Sequence, residues 1–376
     1  MTPASSSGPR TAQRAERLTS AMRERELDAL LVSERLNVRY MTGFTGSAGI
    51  AIFLTAGEAA AAAAALRFLT DFRYATQSAE QIPEHMQREI VTGSLFEAAA
   101  AQLEGEGGRF GFDDANVSVR DHARLQTRLS DGWQLVPCAG VVERLRLVKD
   151  AGELAQIRAA AELADEAMTG LLEGRIVGRT EREVALELEN RVRDLGAEPS
   201  FPTIVAAGAR GALPHAQAGT EEIAPDVLLT IDWGARLAGY CSDCTRTYAT
   251  GEGVSALARE IYELVRTAQE QGVRAVVAGP RGREVDAVAR AVIERAGHGE
   301  HFGHGLGHGV GMDVHEAPRL SRTDGEETLR AGSVVTVEPG VYLPDRLGVR
   351  IEDLVVVGEQ DREVLTHLPK ELTVIS

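Results

Sequence analysis

The spacing of apolar positions changes character several times along the chain, and each change marks a predicted element. Between residues 18 and 142, helix-like periods alternate with short apolar runs, as in RLTSAMRERELDALLV, AGIAIFL, RFLTDFRYA, REIV, RFGFD and WQLVP. This alternation predicts an α/β domain with helices on a mixed or parallel sheet. Further on, Leu154, Ile157, Ala160, Ala161, Ala164 and Met168 recur at helical spacing and predict a helix over 151–172. A second helix is expected over 180–195, opened by Thr180-Glu181-Arg182-Glu183 in the order of a capping box. Two more are expected over 254–278, stopped by Gly279-Pro280, and over 283–296. After a glycine-rich stretch at 297–311, strands are expected over 333–341, 349–357 and 362–367. Helices mixed with antiparallel hairpins predict an α+β domain over 143–376. Residues 1–17, rich in Ser, Pro, Ala and Arg, read as a disordered tail before the domain at 18–142.

Two of the predicted hairpins carry carboxylates where apolar side chains are expected. In VLLTIDWGARLAGYCSDCTRTY, Asp232 and Asp243 are equidistant from the point between Leu237 and Ala238, so a turn centred there sets them face to face. Opposed Cβ atoms lie about 4.5–5.5 Å apart, and like charges there destabilise the pair. SVVTVEPGV and VRIEDLVVV repeat the arrangement, with Glu338 and Glu352 equidistant from Asp345. A carboxylate inside an apolar strand is costly unless it is paired or coordinated. One pair can share a proton; two converging pairs leave like charges unresolved, and two divalent cations would neutralise all four.

Between these hairpins, HFGHGLGHGVGMDVHEAP carries His301, His304, His308 and His315. His304 and His308 have the spacing of a helical zinc pair, but Gly305-Leu306-Gly307 supplies neither the Glu nor the helix of H-E-x-x-H. A glycine-rich turn instead lets an imidazole come close to the carboxylates. Cys241 and Cys244 have redox spacing, yet residues three apart on a strand face opposite sides, and both read as small buried apolar groups. Asp71 and Arg73, in LTDFRY, read as a surface ion pair, with a position facing a partner's active site as the alternative.

Composition narrows the class. A chain of 376 residues with 44% apolar and 26% charged residues fits two soluble domains. A formal charge of −16 opposes binding to nucleic acid or anionic membranes. The absence of a spanning apolar run or a signal-peptide core, together with only three cysteines, points to a reducing cytoplasm.

Asp232 and Asp243 eleven residues apart, H-G-L-G-H followed by D-V-H, then T-V-E-P-G and R-I-E-D, together resemble the metal-binding signature of the proline-specific pita-bread metallopeptidases. That family includes Xaa-Pro aminopeptidase and prolidase, with methionine aminopeptidase and creatinase as relatives. YMTGFTGSAG and LTDFRY resemble the amino-terminal half of its proline-specific branch. The resemblance implies a creatinase-like α/β amino-terminal domain and a pita-bread α+β catalytic domain. It implies that Asp232 chelates one ion, that Asp243 and Glu352 bridge two, and that His308 and Glu338 hold the other. Glu338 is then also the proton acceptor for the attacking water. His215 matches a substrate-contacting histidine, His304 a wall of the proline pocket, His315 a stabiliser of the tetrahedral intermediate, and Arg350 an arginine beside the last glutamate. Mn²⁺ is the family's usual ion and suits an oxygen-rich donor set; Co²⁺, Fe²⁺ and Zn²⁺ are alternatives. The activity implied is hydrolysis, by a hydroxide activated between two metals, of the Xaa-Pro bond of small peptides with proline in second position. The expected enzyme is an Xaa-Pro aminopeptidase. The alternative is an Xaa-Pro dipeptidase, and a more distant one is a metal-independent or non-enzymatic member of the fold. A homodimer or homotetramer is also implied.

Overall fold

Residues 7–55, 66–103 and 107–376 are described by the computed structural model. The chain divides into one unit ending at Arg146 and a second running from Leu147 to Ser376.

The first unit is built on a six-stranded mixed sheet. From edge to edge its strands are Gln87–Ile90, Leu66–Thr70, Gly49–Leu54, Ala29–Val32, Gly108–Phe112 and Trp133–Pro137. The apolar runs become strands because alternate residues, such as Ile50, Ile52, Leu69 and Phe110, are buried under the helices. A helix at Ser7–Glu24 corrects the expectation of a disordered tail over 1–17. Thr11, Arg14, Ala15, Leu18 and Met22 recur at helical spacing and are buried, a period that the polar composition of the segment obscures. Residues 1–6 of that expectation lie outside the described residues. The helix Val141–Arg146 packs against this first helix, with Arg17 Nη2 donating to the Leu145 carbonyl at 3.0 Å. Asp71 and Arg73 form an exposed ion pair at 2.7 Å.

In the second unit, two helix pairs flank the strands that carry the carboxylates. Helices Ala151–Leu172 and Glu181–Asp194 share one apolar core with strands Ile204–Ala207 and Leu228–Trp233. Helices Ala256–Ala275 and Gly282–Arg295 share another with strands Val334–Val337 and Asp353–Val357. The Thr180 capping box forms as its sequence predicts: Glu183 N–H donates to Thr180 Oγ1 at 3.2 Å, and Thr180 N–H to Glu183 Oε2 at 2.8 Å. Among the described residues, no helix is long and apolar enough to cross a membrane.

Candidate metal centre

The register of the first hairpin differs from the expected one. Strand Leu228–Trp233 pairs with Cys244–Ala249 so that Asp232 faces Thr245 and Trp233 faces Cys244. The turn falls at Ala238 and Gly239, both at positive φ, because Gly239 takes the left-handed conformation readily and a two-residue turn with both centres there matches strand twist. The ladder is therefore shifted by two residues from a turn centred between Leu237 and Ala238. An even shift preserves the face of every side chain. Asp232 and Asp243 thus remain on one side of the hairpin as diagonal neighbours instead of opposed ones.

The second hairpin keeps the expected count but not the expected continuity. Val337 pairs with Asp353 and Gly340 with Arg350, so Glu338 and Glu352 occupy matching positions in the gap between two ladders. The strand expected over 333–341 breaks at Glu338-Pro339 because proline offers no N–H to the ladder. Each glutamate's backbone turns elsewhere: Glu338 N–H donates to Leu306 at 2.8 Å and Glu352 N–H to Thr245 at 3.0 Å. These bonds stitch both hairpins and the glycine-rich segment into one floor.

On that floor Asp232, Asp243 and Glu352 each present an oxygen, all within 4.8 Å of one another. Strand Gly307–Gly309 brings His308 to their side, since a Cβ at Gly307 would collide with the Thr336 carbonyl. His308 Nδ1 lies 3.1 Å from the Gly309 carbonyl, and Nε2 faces Glu338 Oε1, 3.3 Å away, and Asp243 Oδ2, 3.7 Å away. The five residues expected as metal ligands are brought together.

Electrostatics sets these carboxylates apart. Burial, then Glu352, Asp232 and Glu338, push Asp243 well above the usual carboxylate range. Burial and the charges of Glu338 and Asp232 do the same to Glu352. Asp232 is raised by burial and by Glu338, with Arg350 offsetting part of the rise. Burial opposes ionisation of Glu338 too, but the hydrogen bond and charge of His308, with the charge of Arg350, outweigh it and hold the metal-free group at about 2. The donor set fits divalent cations. Four carboxylates and one imidazole converge, and Asp232 Oδ1 is buried with no hydrogen-bond partner among the described residues.

The other expected residues lie around the floor. His215, His304, His315 and Arg350 line the same cavity of about 840 Å³ as the carboxylates. The His315 ring stands edge-on to His308, with centroids 4.5 Å apart. His304 stays apart from the acidic cluster: Nδ1 donates to Gly305 O at 2.7 Å, and Nε2 accepts from Tyr342 Oη at 2.9 Å. Burial lowers the pKa of His304 and of His315, which favours the neutral rings. Arg350 reaches further than the last glutamate, donating to Asp232 Oδ2 at 2.7 Å, Tyr342 Oη at 3.0 Å and Thr245 Oγ1 at 3.0 Å. Cys241 and Cys244 are free thiols buried in different apolar clusters.

Three contributors escape the sequence reading. Thr245 donates to Glu352 Oε2 at 2.7 Å, and Tyr342 joins Arg350 to His304. Arg319 lies across the ladder from His308, lines the cavity, and has no ion-pair partner among the described residues.

Residues 155–359 match the model of metallopeptidase family M24, and residues 14–148 match that of the creatinase/prolidase amino-terminal domain. The chain belongs to metallopeptidase family M24. Its two parts are the creatinase-like amino-terminal domain and the pita-bread catalytic domain of the proline-specific branch. It is 34% identical over 367 residues to an Xaa-Pro dipeptidase of Pyrococcus furiosus, covering 96% of this chain and 99% of the relative. It is similar in structure to an Xaa-Pro dipeptidase from Bacillus anthracis, with TM-score 0.90, 37% identity, and coverage of 97% and 100%. It is also similar to an X-Pro aminopeptidase from Thermotoga maritima, with TM-score 0.84, 33% identity, and coverage of 96% and 100%. M24 membership implies divalent metal ions, in keeping with the acidic cluster.

Proposed function

We propose that the chain is a metal-dependent Xaa-Pro dipeptidase that releases proline from dipeptides, the alternative to the aminopeptidase expected from sequence. The observation that carries this reading is Arg319. A dipeptide with carboxy-terminal proline places a free carboxylate close to the scissile bond, and Arg319, exposed on the cavity lining opposite His308 and without an ion-pair partner among the described residues, offers its guanidinium to it. The dipeptidases of Pyrococcus furiosus and Bacillus anthracis among the similar proteins support the same choice. The aminopeptidase reading keeps support from a cavity of about 840 Å³, roomier than a dipeptide needs, and from the Thermotoga maritima structure.

In this reading Asp232, Asp243, Glu352, His308 and Glu338 would together hold the two cations. Oxygen-rich ligation favours Mn²⁺. When bound, the cations supply Lewis acidity to water and to the scissile carbonyl. Glu338 takes the proton of the attacking water and delivers it to the departing proline nitrogen. His315 donates to the oxygen on which negative charge develops. His215 contacts the substrate backbone. His304, held neutral with its Nε2 engaged by Tyr342, gives the proline ring an uncharged wall. An Xaa-Pro amide has no N–H, so a rigid pocket recognises the ring where other peptidases recognise a hydrogen bond.

Hydrolysis of Xaa-Pro and Xaa-Pro-Xaa by the Mn²⁺-loaded protein tests the proposal. Cleavage of the dipeptide alone is expected. Efficient cleavage of the tripeptide would return the assignment to aminopeptidase, and full activity in chelator would remove the metal from the mechanism.

A further inference from the structure

Helix Gly282–Arg295 carries Asp286 and Arg290 one turn apart, both buried. They form a bidentate pair, with Arg290 Nε to Asp286 Oδ2 at 2.7 Å and Nη2 to Oδ1 at 2.8 Å. The remaining donors of the guanidinium enter the segment that carries His304. Nη1 donates to the Phe302 carbonyl at 2.9 Å and Nη2 to the His304 carbonyl at 2.7 Å. The guanidinium also stacks 4.1 Å from the Phe302 ring centroid. From the other side, the Leu306 N–H donates to Asp286 Oδ1 at 2.9 Å. One ion pair therefore ties three backbone groups of residues 302–306.

That segment contains Gly303 and Gly305, whose backbones lose the most conformational freedom on ordering. An apolar pair of equal volume would stabilise the fold at least as well as a buried ion pair, which must offset the desolvation of both charges. What the pair adds is placement, since a planar fork can serve a carboxylate and two carbonyls at once. The placed segment presents His304 to the cavity with its ring edge-on to Phe302, centroids 5.1 Å apart, and its Leu306 carbonyl receives the Glu338 N–H at 2.8 Å.

We propose that the Asp286–Arg290 pair is a positioning device that sets the His304 wall of the cavity and, through it, selectivity for proline. The inference rests on the reading of that wall as the face against the proline ring.

Arg290→Lys keeps a cation beside Asp286 but cannot bridge both carbonyls. With Mn²⁺ bound, its KM for Xaa-Pro should rise about tenfold while kcat stays within about threefold, and the preference for Xaa-Pro over Xaa-Ala should narrow accordingly. Amide exchange should accelerate in 302–306 and not along the rest of the helix. The double variant Asp286→Leu with Arg290→Met, which leaves no buried charge unpaired, should fold and repeat both effects. Faster segment exchange with unchanged KM and selectivity would reduce the pair to a structural brace, and unchanged exchange would overturn the proposal outright. If the unmodified protein cleaves no Xaa-Pro substrate, the functional reading fails separately. Calorimetric binding of free proline then still decides: weaker binding by Arg290→Lys supports the positioning role, and equal binding refutes it.

Discussion

Thr245 donates its hydroxyl to Glu352 at 2.7 Å and accepts from Arg350 at 3.0 Å, so the residue facing Asp232 across the ladder orients the glutamate of the other hairpin. Outer hydrogen bonds of this kind fix the direction of a ligand's lone pairs. Thr245→Val keeps the shape and removes the hydroxyl, and Mn²⁺ affinity should fall about tenfold or more. Thr245→Ser should retain it. Calorimetric titration of the metal-stripped proteins measures both, and equal affinity in all three would show that Thr245 does not orient Glu352.

Metal removal should invert the pH dependence of stability. In chelator, Asp232, Asp243 and Glu352 hold protons more tightly folded than unfolded, because their folded pKa values are raised. Their contribution is fully present below the ordinary carboxylate pKa and is lost as pH rises through the folded values. Glu338 works the other way, and its contribution is lost as pH falls through about 2. From about pH 4 towards neutrality, the metal-free protein should therefore lose stability as pH rises. Mn²⁺ competes with protons for the same oxygens, so the loaded protein should gain stability over that interval. Thermal unfolding at several pH values, with Mn²⁺ and with chelator, compares the two slopes; parallel slopes would contradict the clustered-carboxylate account.

Arg319 makes the substrate prediction sharper than a comparison of peptide lengths. Arg319→Met should raise KM for Xaa-Pro about tenfold or more with little change in kcat, since the lost contact acts equally in ground and transition states. An Xaa-Pro amide, which lacks the terminal carboxylate, should be handled alike by both proteins. If the variant loses the same factor on the amide, Arg319 serves another purpose.

The parts of the site legible in the sequence are those set by counting along one chain segment. Glu338 and Glu352 fall in register because the intervening turn is symmetric about Asp345, and helix Ala151–Leu172 follows its apolar period residue for residue. The first hairpin was displaced by two because the turn went to Ala238 and Gly239, yet the shared face of Asp232 and Asp243 survived the even shift. Thr245, Tyr342 and Arg319 were illegible for a different reason. Thr245 meets Glu352 across two hairpins, Tyr342 joins Arg350 to the separate His304 segment, and Arg319 faces His308 only through an irregular ladder, so these roles exist only once the floor is assembled. The helix at Ser7–Glu24 was hidden by composition, because Thr11 and Arg14 take buried positions on its apolar face.

Asp353, next to Glu352, should be the most costly carboxylate to remove for stability. It is fully buried and accepts four hydrogen bonds: Arg246 at 2.9 Å and Thr366 at 2.9 Å on Oδ1, Gln269 at 2.8 Å and Lys370 at 2.6 Å on Oδ2. Burial alone would raise its pKa, but Arg246 and Lys370 outweigh it and hold the group below the usual carboxylate value. Asp353→Ala leaves the buried Arg246 without its counter-charge and should destabilise the fold by about 3–5 kcal/mol in urea unfolding. Lys370→Met should cost less, because the lysine is 26% exposed and Arg246 still neutralises Asp353. Arg246 also donates to the Glu352 carbonyl, so the Asp353 variant should lose Mn²⁺ affinity along with stability. A variant that unfolds at the same urea concentration as the unmodified protein would show that this network holds neither the fold nor the glutamate.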